Sequence, residues 1–363
     1  MKRFLAAGSM LAALVVLTPG VAPAAAPPDH YANHPIRVRP NASTSPTGLS
    51  PATIKGAYNF TTDLTAGAGQ TIAIVDAYDD PTAEADLKVF STQYGLPACT
   101  TANHCFKKVN QTGGTRYPRA DGGWALEISL DIQWAHAIAP GATLLLVEAS
   151  TPSFTNLLAA EDYAAAHAQY VSNSWGASEF SGETSYDSHF SRSGVSFFVS
   201  AGDNGTPAEY PSSSPNVVSV GGTTLHLDSN HVFTSETGWS EGGGGCSAYE
   251  TAPAAQSGFS QYSAVTCAGK RATPDLSLDA DPASGVSVYD STRTSGQSGW
   301  FAVGGTSASA PMVAARTAVA GIQLTPAALY GNQITFRDID SGNNGAACLV
   351  GFDLCTGRGS WTN

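Results

Sequence analysis

Gly304-Gly305-Thr306-Ser307-Ala308-Ser309-Ala310-Pro311, followed by a largely apolar run from 312 to 322, is the stretch around which the chain is organised. The glycine pair lets the backbone approach a neighbour. The small residues after it reach Gly321 without another glycine, which reads as a tight turn feeding a buried helix. Pro311 is expected in the first turn of that helix, where its missing N–H costs nothing. Ser307 then lies at the helix mouth among unpaired N–H groups, where negative charge on an attacked carbonyl would be stabilised. From this segment alone two readings stand: a serine capping a buried helix, and a nucleophile.

The 363 residues suffice for one large core or two modest ones. Lys2-Arg3, an apolar stretch over 4–17 and a small-residue segment over 19–26 follow the order of a secretory signal, with cleavage expected between 24 and 28. The apolar run is too short to span a bilayer, and no later segment reaches about 18 apolar residues. A secreted, extracellular product, free of the membrane after cleavage, is therefore expected. All six cysteines (99, 105, 246, 267, 348, 355) follow the cleavage point. An even count in an exported chain favours disulfides, and sequential pairing is expected because each pair then closes a short loop. With Lys2 and Arg3 removed, 29 acidic residues face 15 basic ones, a formal charge of −14. No basic stripe for nucleic acid or anionic membrane can be built from that balance. Neither Cys-x-x-Cys nor His-Glu-x-x-His occurs, so no zinc chemistry is signalled.

Residues 27–47, rich in Pro, Ser, Thr and Asn, read as an extended, poorly ordered arm. Beyond it strands and helices alternate. Strands are expected at 71–77, 142–149, 170–175, 195–201 and 216–220, and helices at 83–94, 122–138, 154–168 and 186–193. Continuous apolar strands separated by helices require a buried parallel sheet covered on both faces, one α/β domain over 48–363. The region 225–298 reads as loops and edge strands over that sheet. In such a sheet, sites form beyond the C-terminal strand ends, which nominates Asp76, 173–176 and Asp203.

A nucleophilic Ser307 needs a base. None of the eight histidines is convincingly placed: His30 and His34 belong to the arm, and His136 on the 122–138 helix reads as a core histidine. The carboxylates are better placed. Glu127 and Asp131, four apart, share one face of an otherwise apolar helix. Pressed together there, at least one favours its protonated form, so the pair can act as a proton acceptor and its orienting neighbour. No Lys or Arg occurs from 120 to 191, so local salt bridges do not account for them. A solvated helical edge is the plain alternative. Asp203, in Ser200-Ala-Gly-Asp-Asn-Gly205, is either an Asx-turn residue or a protonated acid that donates to an oxyanion.

Taken together, these segments resemble the sedolisins, serine-carboxyl peptidases with a three-layer subtilisin-like fold. Gly305-Thr-Ser-Ala-Ser309 resembles their nucleophile motif, which implies Ser307 as nucleophile. Glu127 and Asp131 match the Glu-x-x-x-Asp helix, implying base and orienting partner, and the segment around Asp203 matches the oxyanion loop. Ser174, Trp175 and Gly176 resemble the substrate-lining strand end, and Asp76 falls where some members carry an acid linked to the catalytic pair. At the C-terminus, Asp338-Ile339 and Gly351-Phe-Asp353 resemble a calcium loop. The resemblance implies carboxylates from Asp338 and Asp353 and carbonyls from Ile339, Leu349 and Gly351, an oxygen-only set suited to a hard cation. Leu349 stands where a glycine is usual. The family is usually made with a large folded prodomain, where this sequence places about 20 residues between signal and domain. The expected function is a secreted, monomeric endopeptidase that hydrolyses peptide or protein substrates through an acyl-enzyme, favoured at acid pH. The alternatives are an inactive peptide-binding module of the same fold and a His-dependent subtilisin-like protease; the latter lacks a His-Gly-Thr-like segment after Asp76. Peptide preference is not legible at this level.

Overall fold

The computed structural model describes residues 29–362 apart from 35, 40, 41, 332 and 333, so the expected signal segment lies outside the described residues. Eight strands form the middle layer: β1 (Thr71–Ala77), β2 (Phe106–Asn110), β3 (Thr143–Ala149), β4 (Tyr170–Asn173), β5 (Ser196–Ser200), β6 (Val218–Leu227), β7 (Phe233–Gly238) and β8 (Leu276–Asp279). Their spatial order is β7-β6-β5-β4-β1-β3-β2, with β8 also against β6. Every pairing is parallel except β7 with β6.

Alternation along the strands feeds two cores, one on each face. Ile72, Ile74, Leu144 and Leu146 pack into one, and Ala73, Val75, Leu145 and Val147 into the other. The first core holds the helices α2 (Gly122–Ile138) and α4 (Thr306–Ala320); the second holds α3 (Phe154–His167). The three-layer α/β architecture expected from the sequence is the one observed. Disulfides join Cys99 to Cys105, Cys246 to Cys267 and Cys348 to Cys355, the sequential pairing.

α2 is apolar or buried on every side from Trp124 to Ile138, which is why it lies inside the molecule. Asp121 caps it, accepting from the N–H groups of Gly123 and Trp124. Its outer side is covered by a hairpin of β9 (Val286–Thr294) and β10 (Gln297–Gly304). Gln133 exchanges two hydrogen bonds with the Tyr289 backbone, and Trp134 Nε1 donates to the Ser287 carbonyl at 2.9 Å.

Three expectations need correction. Within 225–298, β8 joins the main sheet, because its partner β6 lies 56 residues earlier in register (Leu276 with Val220) and a four-residue strand has no local signature. The helix expected over 186–193 is a 3₁₀ segment at Glu183–Phe190. The arm is extended as expected but not loose. Asn33 exchanges backbone hydrogen bonds with Gly176 at 2.8 and 3.0 Å, and Arg37–Val38 pairs antiparallel with Gly304 and Val303. Backbone pairing carries no side-chain pattern, so composition could not reveal it.

A buried ion pair lies beside the start of β6 and the entry to β8. Arg271 and Asp275 are both fully buried and bonded through two contacts of 2.7 and 2.5 Å, with Tyr330 Oη donating to Asp275 at 2.6 Å. Replacing Arg271 by Ala strands the carboxylate and is expected to cost about 3–5 kcal/mol of unfolding free energy in urea melts. A loss under about 1 kcal/mol would contradict this reading of the pair.

Candidate active site

The stretch from Gly304 to Pro311 runs through the buried interior of the molecule. Gly304 passes so close to the chain after β8 that a Cβ there would fall 2.4 Å from the Ala280 carbonyl, and Gly305 turns the chain with φ +108°. α4 begins at Thr306, one residue before Ser307, so Ser307 lies in the first turn and does not cap the helix. Asp203, beyond the end of β5, takes the capping place: its Oδ1 accepts from Thr306 N at 2.8 Å and from Thr306 Oγ1 at 3.0 Å. Pro311 falls in the second turn, not the first as expected. Any other residue at 311 would donate its N–H to the Ser307 carbonyl, and proline has none to give. That carbonyl is met instead by Ser174 Oγ at 3.5 Å, from the segment after β4.

Glu127 and Asp131 are wholly buried on α2. The Ser307 hydroxyl lies near enough to Glu127 to favour its ionised form, and Asp203 near enough to oppose it. Neither Ser307 Oγ nor either Glu127 oxygen makes a hydrogen bond of ordinary geometry among the described residues. Such spacing is common before a substrate closes the gap. Asp131 has the Ser174 hydroxyl beside it and no bonded donor either. Register places Asp76 opposite Glu148 in the sheet, and Asp76 feels the charges of Asp131 and Glu127.

The electrostatics follow from burial without a base. Desolvation drives Glu127, Asp131 and Asp76 well above the usual carboxylate range; neighbouring carboxylates add to the effect at Glu127 and Asp76. Asp203 is pushed up to about 8, again by desolvation, against the opposing Thr306 hydrogen bonds and the charge of Arg37. Its Oδ2 is buried with no partner, which suits a protonated oxygen at the mouth of α4.

The sequence reading missed two arm residues here. His34 Nδ1 comes within 3.5 Å of Glu127 Oε2, and its ring meets Trp124 edge-on at 4.9 Å. The proximity resembles an ion pair, but burial lowers the His34 pKa to about 4, so above that pH the contact joins a neutral ring to an acid. Arg37 donates to the Asp203 carbonyl at 2.6 Å and to Glu241 at 2.9 Å. A cavity of about 250 Å³ remains beside the arm, lined by His34, Arg37, Gly176, Asp203, Asn204 and Glu209 among others. An aperiodic polar arm gives no sequence signal for such placement; only the position of Asn33 against Gly176 reveals it.

The remaining expected residues separate clearly. Trp175 is fully buried beneath the cleft, and Gly176 lines it. Ser309 is tied to the Leu278 and Asp279 carbonyls at 3.1 Å, so its hydroxyl is structural. His136 bonds the Pro97 carbonyl at 2.8 Å within the core, as a core histidine should. Leu349, Gly351 and Asp353 lie in the loop closed by the Cys348–Cys355 bridge, and Asp338 and Ile339 come up against it from the preceding segment. Asp353 Oδ2 accepts from Leu349 N at 2.6 Å and Asp338 Oδ2 from Gly351 N at 2.9 Å. Thr356 Oγ1 lies 3.5 Å from the Ile339 carbonyl and 3.4 Å from Asp353 Oδ1. Two carboxylates and loop carbonyls in one place are a donor set that fits a hard cation.

Comparison with known proteins decides the family. The profile of the Subtilase family matches residues 120–329, more than half of the chain. The chain belongs to the subtilase family. Within it the chain is sedolisin-like. Kumamolisin of Bacillus sp. (strain MN-32) is 31% identical across 88% of this chain and 63% of its own length. Sedolisin of Pseudomonas sp. (strain 101) is 32% identical over 46% of this chain and 33% of its own. The chain thus spans less than two thirds of the curated relatives it matches. Among solved structures, Pseudomonas sedolisin, a serine-carboxyl proteinase complexed with two molecules of pseudo-iodotyrostatin, superimposes with a TM-score of 0.73 at 27% identity, covering 88% of this chain and 96% of that one.

For this subtilase the raised acids set a direction for stability. A carboxyl whose folded pKa lies above its unfolded value near 4 holds its proton more tightly when folded. Its contribution is complete below that unfolded value and is lost as pH rises through the folded one, about 8 for Asp203. The melting temperature is therefore expected to fall between pH 5 and pH 8, less steeply in Asp203→Asn. Calorimetry showing a rise over that interval would contradict the assignment.

Proposed function

We propose that this chain is a secreted serine-carboxyl endopeptidase favoured at acid pH. The observation that carries the reading is the meeting of Ser307, Glu127 and Asp203, all buried, at the edge of a groove that holds an extended polypeptide, the arm. The arm pairs with Gly176 on one side and Gly304 on the other, which is how a substrate strand would be held. Family membership and the sedolisin relatives support peptide and protein substrates.

In this reading Glu127 removes the proton from Ser307, whose oxygen attacks the peptide carbonyl. Asp131 orients Glu127, and Ser174, beside Asp131, holds the Ser307 backbone in register. Protonated Asp203 Oδ2 and the Ser307 N–H in the first turn of α4 receive the oxyanion. Glu127 returns its proton to the leaving amine, and water repeats the sequence on the acyl-enzyme. Asp203 must hold its proton to donate, so activity falls as pH rises past about 8. Gly176 lines the substrate side of the groove, with Ser174 and Trp175 buried behind it. The acidic net charge argues against nucleic acid as a partner, and the disulfides with the N-terminal signal pattern support export. Calcium is the cation proposed for the C-terminal loop, held by Asp338 and Asp353 and the carbonyls of Ile339, Leu349 and Gly351.

The His-dependent alternative has one histidine to offer near the acids, His34, and single substitutions separate the two. Glu127→Gln is expected to cut kcat/KM by roughly 10²–10⁴ on a peptide substrate, and Ser307→Ala to abolish turnover. His34→Ala should keep kcat. Retained activity in Glu127→Gln with loss in His34→Ala would reverse the assignment.

A substrate strand must displace the arm. Arg37→Ala removes its hold on Asp203 and Glu241, so a lower KM with little change in kcat is expected from steady-state kinetics. An unchanged or higher KM would mean that the arm does not compete.

A further inference from the structure

Away from Ser307, three more aspartates meet where helix α1 (Ala83–Tyr94) packs against β9. Asp80 precedes α1, Asp86 lies in its first turn and Asp290 is on β9; none is more than 2% exposed. One oxygen from each carboxyl lies within 4.8 Å of the other two. No basic side chain bonds any of the three among the described residues. Lys108, beside them, is committed to Asp79 Oδ1 at 2.5 Å and the Asp80 carbonyl at 2.8 Å.

Hydroxyls and backbone N–H groups reach Asp80 and Asp86, with Ser129 Oγ on Asp80 Oδ2 and Ser291 N and Oγ on Asp86, but they leave one oxygen of the cluster short. Thr82 Oγ1 lies 3.0 Å from Asp80 Oδ1, 2.6 Å from Asp86 Oδ2 and 2.8 Å from Thr292 Oγ1. Thr292 Oγ1 lies 3.1 Å from the same Asp80 oxygen. Each hydroxyl carries one proton, so these oxygen–oxygen contacts outnumber the protons that could bridge them. Asp290 makes the shortage plain. Its Oδ1 accepts from Thr292 N at 2.8 Å, while Oδ2 is left without a donor among the acids in a side chain with no solvent exposure. At Asp203 such an oxygen stands alone and keeps a proton; here two further carboxyls share the space, and the combined negative charge favours a cation.

We propose that Asp80, Asp86 and Asp290 form a second cation site, distinct from the C-terminal loop, and that it takes calcium. The donors are all oxygen, which selects a hard cation. The three oxygens lie within 4.8 Å of one another, so one ion can reach all of them at about 2.4 Å, and a fully buried, all-protein set suits calcium better than magnesium, which keeps several waters. Hydroxyls of Thr82 and Thr292 stand ready to complete the shell. The ion joins the chain before α1, α1 itself and β9. Through Ser129 Oγ, 3.2 Å from Asp80 Oδ2, it reaches α2, the helix of Glu127 and Asp131.

Calcium bound per chain, counted by equilibrium dialysis at neutral pH, tests the site with wild type, Asp290→Asn and Asp353→Asn. Asp290→Asn is expected to bind one ion fewer than wild type, and Asp353→Asn to keep the ion that Asp290→Asn loses. Equal binding by Asp290→Asn and wild type overturns the site, whatever Asp353→Asn does; a loss confined to Asp353→Asn leaves the C-terminal loop as the calcium site. Wild-type crystals soaked in calcium chloride decide independently if Asp290→Asn does not fold. Density bonded to all three carboxyls is expected, and its absence overturns the proposal.

Discussion

Burial of carboxyl groups without bases is the constraint on which this molecule turns. An isolated carboxylate is costly to place in a protein interior, and here Asp76, Glu127, Asp131 and Asp203 are placed there together. The cost is relieved by protonation, so the group behaves as a set of acids sharing fewer charges than carboxyls. That arrangement gives Ser307 a neighbour able to take a proton and Asp203 an oxygen able to give one.

The rest of the fold keeps these groups in position and dry. α2 has no solvent-facing side, and the β9–β10 hairpin locks it through Gln133 and Trp134 rather than through the acids themselves. Two glycines bring the start of α4 against the chain after β8, a path that any larger residue at 304 would block with the Ala280 carbonyl. Asp203 links the two halves of the site. It follows one strand and caps the helix that carries Ser307, so its protonation bears on both oxyanion binding and the geometry of the nucleophile.

Much of this was legible in the chain because it is local. Four-residue spacing placed Glu127 and Asp131 on one face, and continuous apolar strands announced the parallel sheet. Glycine-flanked Asp203 stood out at a strand end. What was not legible depends on pairing across long sequence distances. β8 is four residues whose partner lies far upstream, and the arm binds through backbone groups that any sequence possesses. His34 reaches Glu127 only because Asn33 is pinned to Gly176. Pro311 misled for a related reason: its missing N–H is tolerated in the second turn because Ser174, over 130 residues away, meets the freed carbonyl.

The most direct test of the shared-proton site is kcat/KM against pH for wild type and Asp203→Asn on one peptide. An amide donates without needing a proton from solvent. Wild-type activity should therefore fall on the alkaline side as Asp203 ionises, with the midpoint near 8, while Asp203→Asn, at a lower maximum, keeps its activity across that range. Superimposable alkaline limbs for the two proteins would contradict the account, because the proton on Asp203 would then have no part in the reaction.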